Sequence, residues 1–133
     1  MHQFSVRTTS HTHLRDITEE VAAAVARAGV SRGVCAVMVP HTTAGVTINE
    51  NADPSVRSDI ESALDRIVPW NGPYRHGEGN SAAHIKAALV GHTAMLPIED
   101  GALVLGTWQG VYFCEFDGPR ARKLLVQVMG KPA

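Results

Sequence analysis

Between His41 and Asp59 the chain reads HTTAGVTINENADPSVRSD, crowding His41, Thr42, Thr43, Asn49, Glu50, Asn51, Asp53 and Asp59 between apolar segments. Buried polar atoms without partners cost roughly 1–3 kcal/mol each, so these groups need turns, caps or a ligand. Asp53 is explained by capping a helix that opens on Pro54. The others read as one wall of a reactive pocket.

Seven histidines stand in 133 residues. His41, His76 and His84 each fall at a loop or helix start among polar neighbours. Three neutral imidazoles around one divalent ion, with an open position, would make a catalytic zinc site. There is no HExxH, so spacing leaves open whether the three share an ion or act as separate hydrogen-bonding or catalytic groups. His11 and His13 could form a second pair on an extended segment, but no acid or cysteine nearby completes it. Arg120, Arg122, Lys86 and the hydroxyls of Thr42 and Thr43 are suited to phosphate, or else simply solvate strand ends. Trp108, set between Thr107 and Gln109, suits a planar ligand or a core position with its polar neighbours capped. Nucleophilic catalysis has little support: G-x-S-x-G is missing, and neither Cys35 nor Cys114 has an activating base beside it.

The elements that must position these groups follow from periodicity. Residues 3–9 read as a strand. A helix is predicted from near Asp16, with Glu19 completing a capping box, a stripe of Leu14, Ile17, Val21, Val25 and Ala28, and a stop at Gly29. The run 33–39 is apolar on both faces and reads as a strand covered on each side; Pro40 ends it and puts His41 at its tip. A short strand over 46–49 precedes a helix from Pro54 with Val56, Ile60, Leu64 and Ile67 as its buried stripe and an Arg57–Glu61 pair on its wet side. Residues 69–80 form a long loop rich in Pro, Gly and Asn. A third helix runs to Gly91 with Ile85, Ala88 and Leu89 toward the core, and the remainder is strands parted by Glu99-Asp100-Gly101, Gly106 and Asp117-Gly118. Helices early and a strand meander late define an α+β fold in a single domain, residues 1–133, with mainly antiparallel sheet and two to three helices.

Composition narrows the function classes. Net charge is −1, and the one basic cluster (Arg120, Arg122, Lys123) is too small for a nucleic-acid surface. No apolar run approaches the ~20 residues that span a bilayer, and the N-terminus shows no export signal. The two cysteines sit in apolar runs and read as buried thiols of a reducing compartment, so the cytoplasm is expected.

Taken together, HTTAGVTINENADPSVRSD, YRH, NSAAHIKAALVG and LPIEDGALVLGTWQGVYFCEFDGPRAR resemble the YjbQ-type family, also called secondary thiamine-phosphate synthases, over roughly residues 35–122. The resemblance implies a homotrimer with sites near subunit contacts. It also implies that His41, His76 and His84 gather at a site for a divalent metal, zinc or magnesium. The implied activity joins hydroxymethylpyrimidine pyrophosphate to a thiazole phosphate. In that reaction Asn49, Glu50 and Asp59 would orient ligands or transfer protons, and Arg120, with Thr42, Thr43 and Lys86, would hold phosphate. Trp108, flanked by Thr107 and Gln109, would stack on a ring. The rival readings are a metal-dependent phosphate-ester hydrolase and a non-enzymatic trimer that binds a metal or small ligand.

Overall fold

The most extensive strand pairing in the molecule joins Val30–Met38 to Ala121–Pro132, the last strand of the chain, with one irregularity between Val30 and Arg32. The structure, a computed structural model, describes residues 1–133. In chain order the elements are β1 (His2–Arg7), β2 (His13–Asp16), α1 (Thr18–Ala28), β3 (Val30–Met38), β4 (Ala44–Glu50), α2 (Pro54–Ile67), α3 (Ser81–Val90), β5 (Thr93–Glu99), β6 (Ala102–Leu103), β7 (Gln109–Glu115) and β8 (Ala121–Pro132). Five strands form one sheet in the order β1-β8-β3-β5-β6, and three form a second in the order β2-β7-β4. Every pairing is antiparallel, and three helices complete the expected α+β fold.

The main core lies between the sheets and α1. Ile17, Val21 and Val25 meet Cys35 and Val37 of β3, Val46 of β4, Val111 and Phe113 of β7, and Leu124 and Val126 of β8. A second cluster, Leu14, Ala83, Ala87, Tyr112, Cys114 and Phe116, seats α3 on the other face of the smaller sheet. No helix is long and apolar enough to cross a membrane.

Several expectations are corrected by the packing. Leu14 belongs to β2, a four-residue strand, and α1 begins only at Thr18, where the Asp16 carboxylate accepts the Thr18 N–H at 2.9 Å. Ala28 is exposed. On β3 only one face is covered; Val34 and Ala36 are half-buried and Met38 is 42 % exposed because no element crosses the outer side of the larger sheet. Helix α2 starts on the Asp53 cap as expected, yet none of its residues is fully buried and Ile67 is exposed. Arg57 and Glu61 do not pair: the Arg57 guanidinium lies 5.1 Å from the Tyr112 ring centre, and Glu61 accepts the Leu14 N–H.

The inward face of α3 is the reverse of the expected one. Ala82, Ala83, Lys86 and Ala87 are buried, whereas Ile85, Ala88 and Leu89 point outward. Small side chains let the helix come close to β4. The contact is tightest after its last turn, where a Cβ at Gly45 would stand 2.5 Å from the Gly91 carbonyl oxygen.

Candidate functional site

The tip of β3, the loop before α3 and the start of β8 converge on a cavity of about 500 Å³. Its wall contains His41, Thr42 and Thr43 from the β3–β4 turn, His76 and Glu78 from the loop, Asn80 and His84 from the start of α3, and Arg120 and Arg122. All three expected histidines therefore line one cavity, together with the expected threonines and Arg120. The His76 and His84 rings stand 5.3 Å apart, centre to centre and nearly perpendicular, and Glu78 lies 3.9 Å from His76 Nε2. No group of three or more His, Cys, Asp or Glu side chains is arranged to hold a metal ion. His76 and His84 are the two histidines whose rings meet; His41 makes a different bond, accepting the backbone N–H of Lys123 on Nε2 at 2.9 Å.

Beneath the cavity lies a buried charge pair. Glu115 is fully buried because β7 is sandwiched between β2 and β4 and its even and odd faces are both covered. Its Oε1 accepts Arg122 Nε at 2.8 Å and the Thr8 hydroxyl at 2.7 Å; Oε2 accepts Arg122 Nη2 and the backbone N–H groups of Phe116 and Asp117. Arg122 Nη2 also donates to Thr43 Oγ1 at 2.8 Å and to the Thr43 carbonyl, fixing the HTT turn. Burial pushes Glu115 upward, but the bonds from Arg122, Thr8 and the Asp117 N–H outweigh it and hold the carboxyl below its ordinary value. At His41, burial, then the Arg122 and Arg120 charges, lower the pKa, so the ring is neutral near pH 7. Asp117 holds Arg120 through its carbonyl and carboxylate and accepts Asn80 Nδ2 at 2.9 Å, while Asn80 Oδ1 is buried without a protein partner.

The remaining expected site residues are not in this cavity. Lys86 lies in a separate cleft with Asp65, His11, Thr12, Trp70 and Asn71, and its ammonium pairs with the Asp65 carboxylate. Asn49, Glu50, Thr107, Trp108 and Gln109 sit at the opposite end of the β4–β7 ladder, where Glu50 pairs with Gln109 while Ala44 pairs with Glu115. At about 3.4 Å per residue, those ends are roughly 20 Å apart. There the polar groups have local partners: Glu50 accepts the Ala52 N–H, Asn49 accepts the Glu50 N–H, and Gln109 accepts the Gly106 N–H. Trp108 is 62 % exposed, and Asp59 is exposed on α2. Glu115, Asn80 and Glu78 were missed by sequence reasoning. The signal for Glu115 was available: a carboxylate inside VYFCEF must have a buried partner.

The fold is thus an α+β domain whose cavity is lined mainly by imidazole, guanidinium and hydroxyl groups. The particular family is shown by comparison: the chain belongs to the YjbQ/UPF0047 family, whose model, described as UPF0047 protein YjbQ-like, matches residues 2–131. The UPF0047 protein YugU of Bacillus subtilis is 48 % identical over 126 residues, covering 94 % of this chain and 96 % of that protein. A Methanocaldococcus jannaschii relative, UPF0047 protein MJ1081, is also 48 % identical, over 96 % of this chain and 93 % of its own. Among solved structures, an uncharacterized conserved protein of the family from Clostridium acetobutylicum, an ortholog of YugU, superposes with a TM-score of 0.96 at 53 % identity, covering 97 % of this chain and all of that one. A YbjQ-like protein of unknown function from Sulfolobus solfataricus gives 0.94 at 31 % identity, covering 98 % of this chain and 96 % of that one.

Proposed function

We propose that the chain is a transferase acting on a phosphorylated small molecule in the histidine cavity, in a reaction of the thiamine-phosphate synthase type. Hydroxymethylpyrimidine pyrophosphate and thiazole phosphate would give thiamine phosphate and pyrophosphate. The observation that supports it is the gathering of three imidazoles, two guanidinium groups and the Thr42 and Thr43 side chains on one polar cavity. Loss of pyrophosphate from a pyrimidine-methyl carbon develops negative charge on the leaving oxygens, and donors fixed in advance stabilise it most. Arg122 is fixed in this way by Glu115, and Arg120 by Asp117. A divalent ion, zinc in preference to magnesium because its donors are imidazoles, would be held by His76 and His84 and would offset leaving-group charge.

Within this reading the protein is a homotrimer. Support comes from the uncovered outer face of the larger sheet, where Met38, Met95 and Met129 are 42 %, 57 % and 49 % exposed. Assembly would also let the Asn49, Glu50, Asp59 and Trp108 end of one copy serve the cavity of another. The buried free thiols of Cys35 and Cys114 fit work in the reducing cytoplasm.

The test is synthesis by protein purified from a host lacking its own synthase, with and without Zn²⁺ or Mg²⁺. Thiamine phosphate should form, and His84→Ala should lower the rate about 100-fold or more; no product from the wild type removes the proposal. A second reading, metal-dependent phosphate-ester hydrolysis, is favoured by one observation: no hydrophobic side chain lines the cavity to receive the apolar part of a larger substrate. Phosphate release from simple esters without any thiamine phosphate would select it.

A further inference from the structure

His41 is tied to β8, and that tie decides which of its nitrogens is free. The Lys123 amide can only donate, so the bond at 2.9 Å occupies the Nε2 lone pair. In a neutral ring the proton must then stand on Nδ1. Nδ1 has no protein partner and is not enclosed, and the ring lines the cavity. An imidazole ligates a cation through a free lone pair, and this ring has none left. Joining a metal would require breaking the Lys123 bond and moving the ring proton.

Arg122, the preceding residue on β8, is arranged in the same manner. Its side chain is 3 % exposed, and Nε and Nη2 make all of its bonds to Glu115 and Thr43. Nη1 makes no hydrogen bond to the protein, is not enclosed, and belongs to a residue lining the same cavity.

We infer that His41 Nδ1–H and Arg122 Nη1–H are a preset pair of donors for an oxyanion, the terminal oxygens of a phosphate or pyrophosphate, and that a cation in this cavity is held without His41. The pair rests on the phosphate reading of the cavity given above. Both donors are held by bonds made before any ligand arrives, so binding costs little reorganisation. The low His41 pKa agrees with a neutral ring.

Ring ¹⁵N spectra of the full-length protein test the pair, with zinc alone and inorganic pyrophosphate alone as probes. The free protein should show His41 protonated on Nδ1. Zinc should perturb His76 and His84 and leave His41 unchanged; zinc that perturbs no histidine equally supports the donor role. Pyrophosphate should perturb His41 Nδ1. By calorimetry, His41→Asn, whose amide nitrogen stands near the place of Nδ1, should keep pyrophosphate affinity within about threefold, while His41→Ala should lose about tenfold or more. Neither change should weaken zinc binding. A proton on Nε2, a loss of zinc affinity in His41→Ala, or undiminished pyrophosphate affinity in that variant overturns the inference. If a variant fails to fold, the wild-type spectra decide alone. Pyrophosphate binding without transferase turnover would remove the proposed reaction and leave the donor pair standing; no pyrophosphate binding by the wild type removes both.

Discussion

Arg122 and Glu115 face each other seven positions apart across the β7–β8 connection, with side chains 3 % and 0 % exposed. Two parallel N–H···O bonds join them. Such a pair is satisfied only while both partners are present, since either charge alone would be buried without compensation. It also reaches the surface of the cavity through the Arg122–Thr43 bond. The HTT wall of the site is therefore anchored in the core, while His76 and Glu78 come from the loop before α3.

Removing one partner should be costly. Glu115→Ala is expected to lower stability by about 3–5 kcal/mol, the range for leaving a buried charge unpaired. Urea unfolding of wild type and variant measures it; a loss under about 1 kcal/mol would mean that solvent reaches Arg122.

The same carboxylate sets an acid limit. The folded-state pKa of Glu115 lies below its unfolded value. Its contribution is therefore complete above the ordinary glutamate range and fades as pH falls through the folded value. Stability of the wild type should drop more steeply than that of Glu115→Gln as pH is lowered from about 5 toward 3. Parallel curves in urea titrations would contradict this.

How much of this was legible in the sequence depends on whether the signal was local. The α2 start was: Asp53 accepts the Ser55 N–H at 2.9 Å, with Pro54 at the first helical position. So was the β5–β6 turn at Asp100-Gly101, both in the left-handed region at φ 51 and 77. His41 at the tip of β3 followed from Pro40. Lys86 lies in a different cleft from His84, which the sequence motif does not reveal. Two residues apart on a helix, His84 and Lys86 are separated by about 200° and cannot serve one cavity. Trp108 lies outside the cavity of its own chain for another reason: it precedes β7 at the end opposite Glu115, and sequence motifs do not reveal which end meets β3. The inward face of α3 was misjudged because close approach to β4 favoured alanine over isoleucine and leucine.

Close approach gives its own prediction. Gly45→Ala would put a methyl 2.5 Å from the Gly91 oxygen and 3.3 Å from Val90 Cγ1. Overpacking should cost about 1–3 kcal/mol and loosen the end of α3 that leads into β5. Hydrogen exchange at Val90 and Gly91 reports it; unchanged protection there would contradict the packing described.

The thiols should be silent in the native protein. Burial pushes Cys35 up to about 11 and Cys114, with a smaller push from Glu61, to about 12. Neither should react with a thiol reagent at pH 8 until urea unfolds the chain, when both should react. Fast labelling of either one in the folded state would show that its burial is transient.

The outer face of the larger sheet should decide assembly. For the proposed trimer, Met38→Lys with Met95→Glu is expected to shift sedimentation to single chains while leaving the fold intact. A wild-type protein that sediments as a single chain at micromolar concentration would remove the trimer.

The most direct measurement for the account as a whole is a crystal structure with inorganic pyrophosphate. Density for the anion should lie against His41, His84 and Arg122, in the cavity that also holds Thr42 and Thr43. Density confined to the Lys86–Asp65 cleft or to the Trp108 end of the β4–β7 ladder would contradict it.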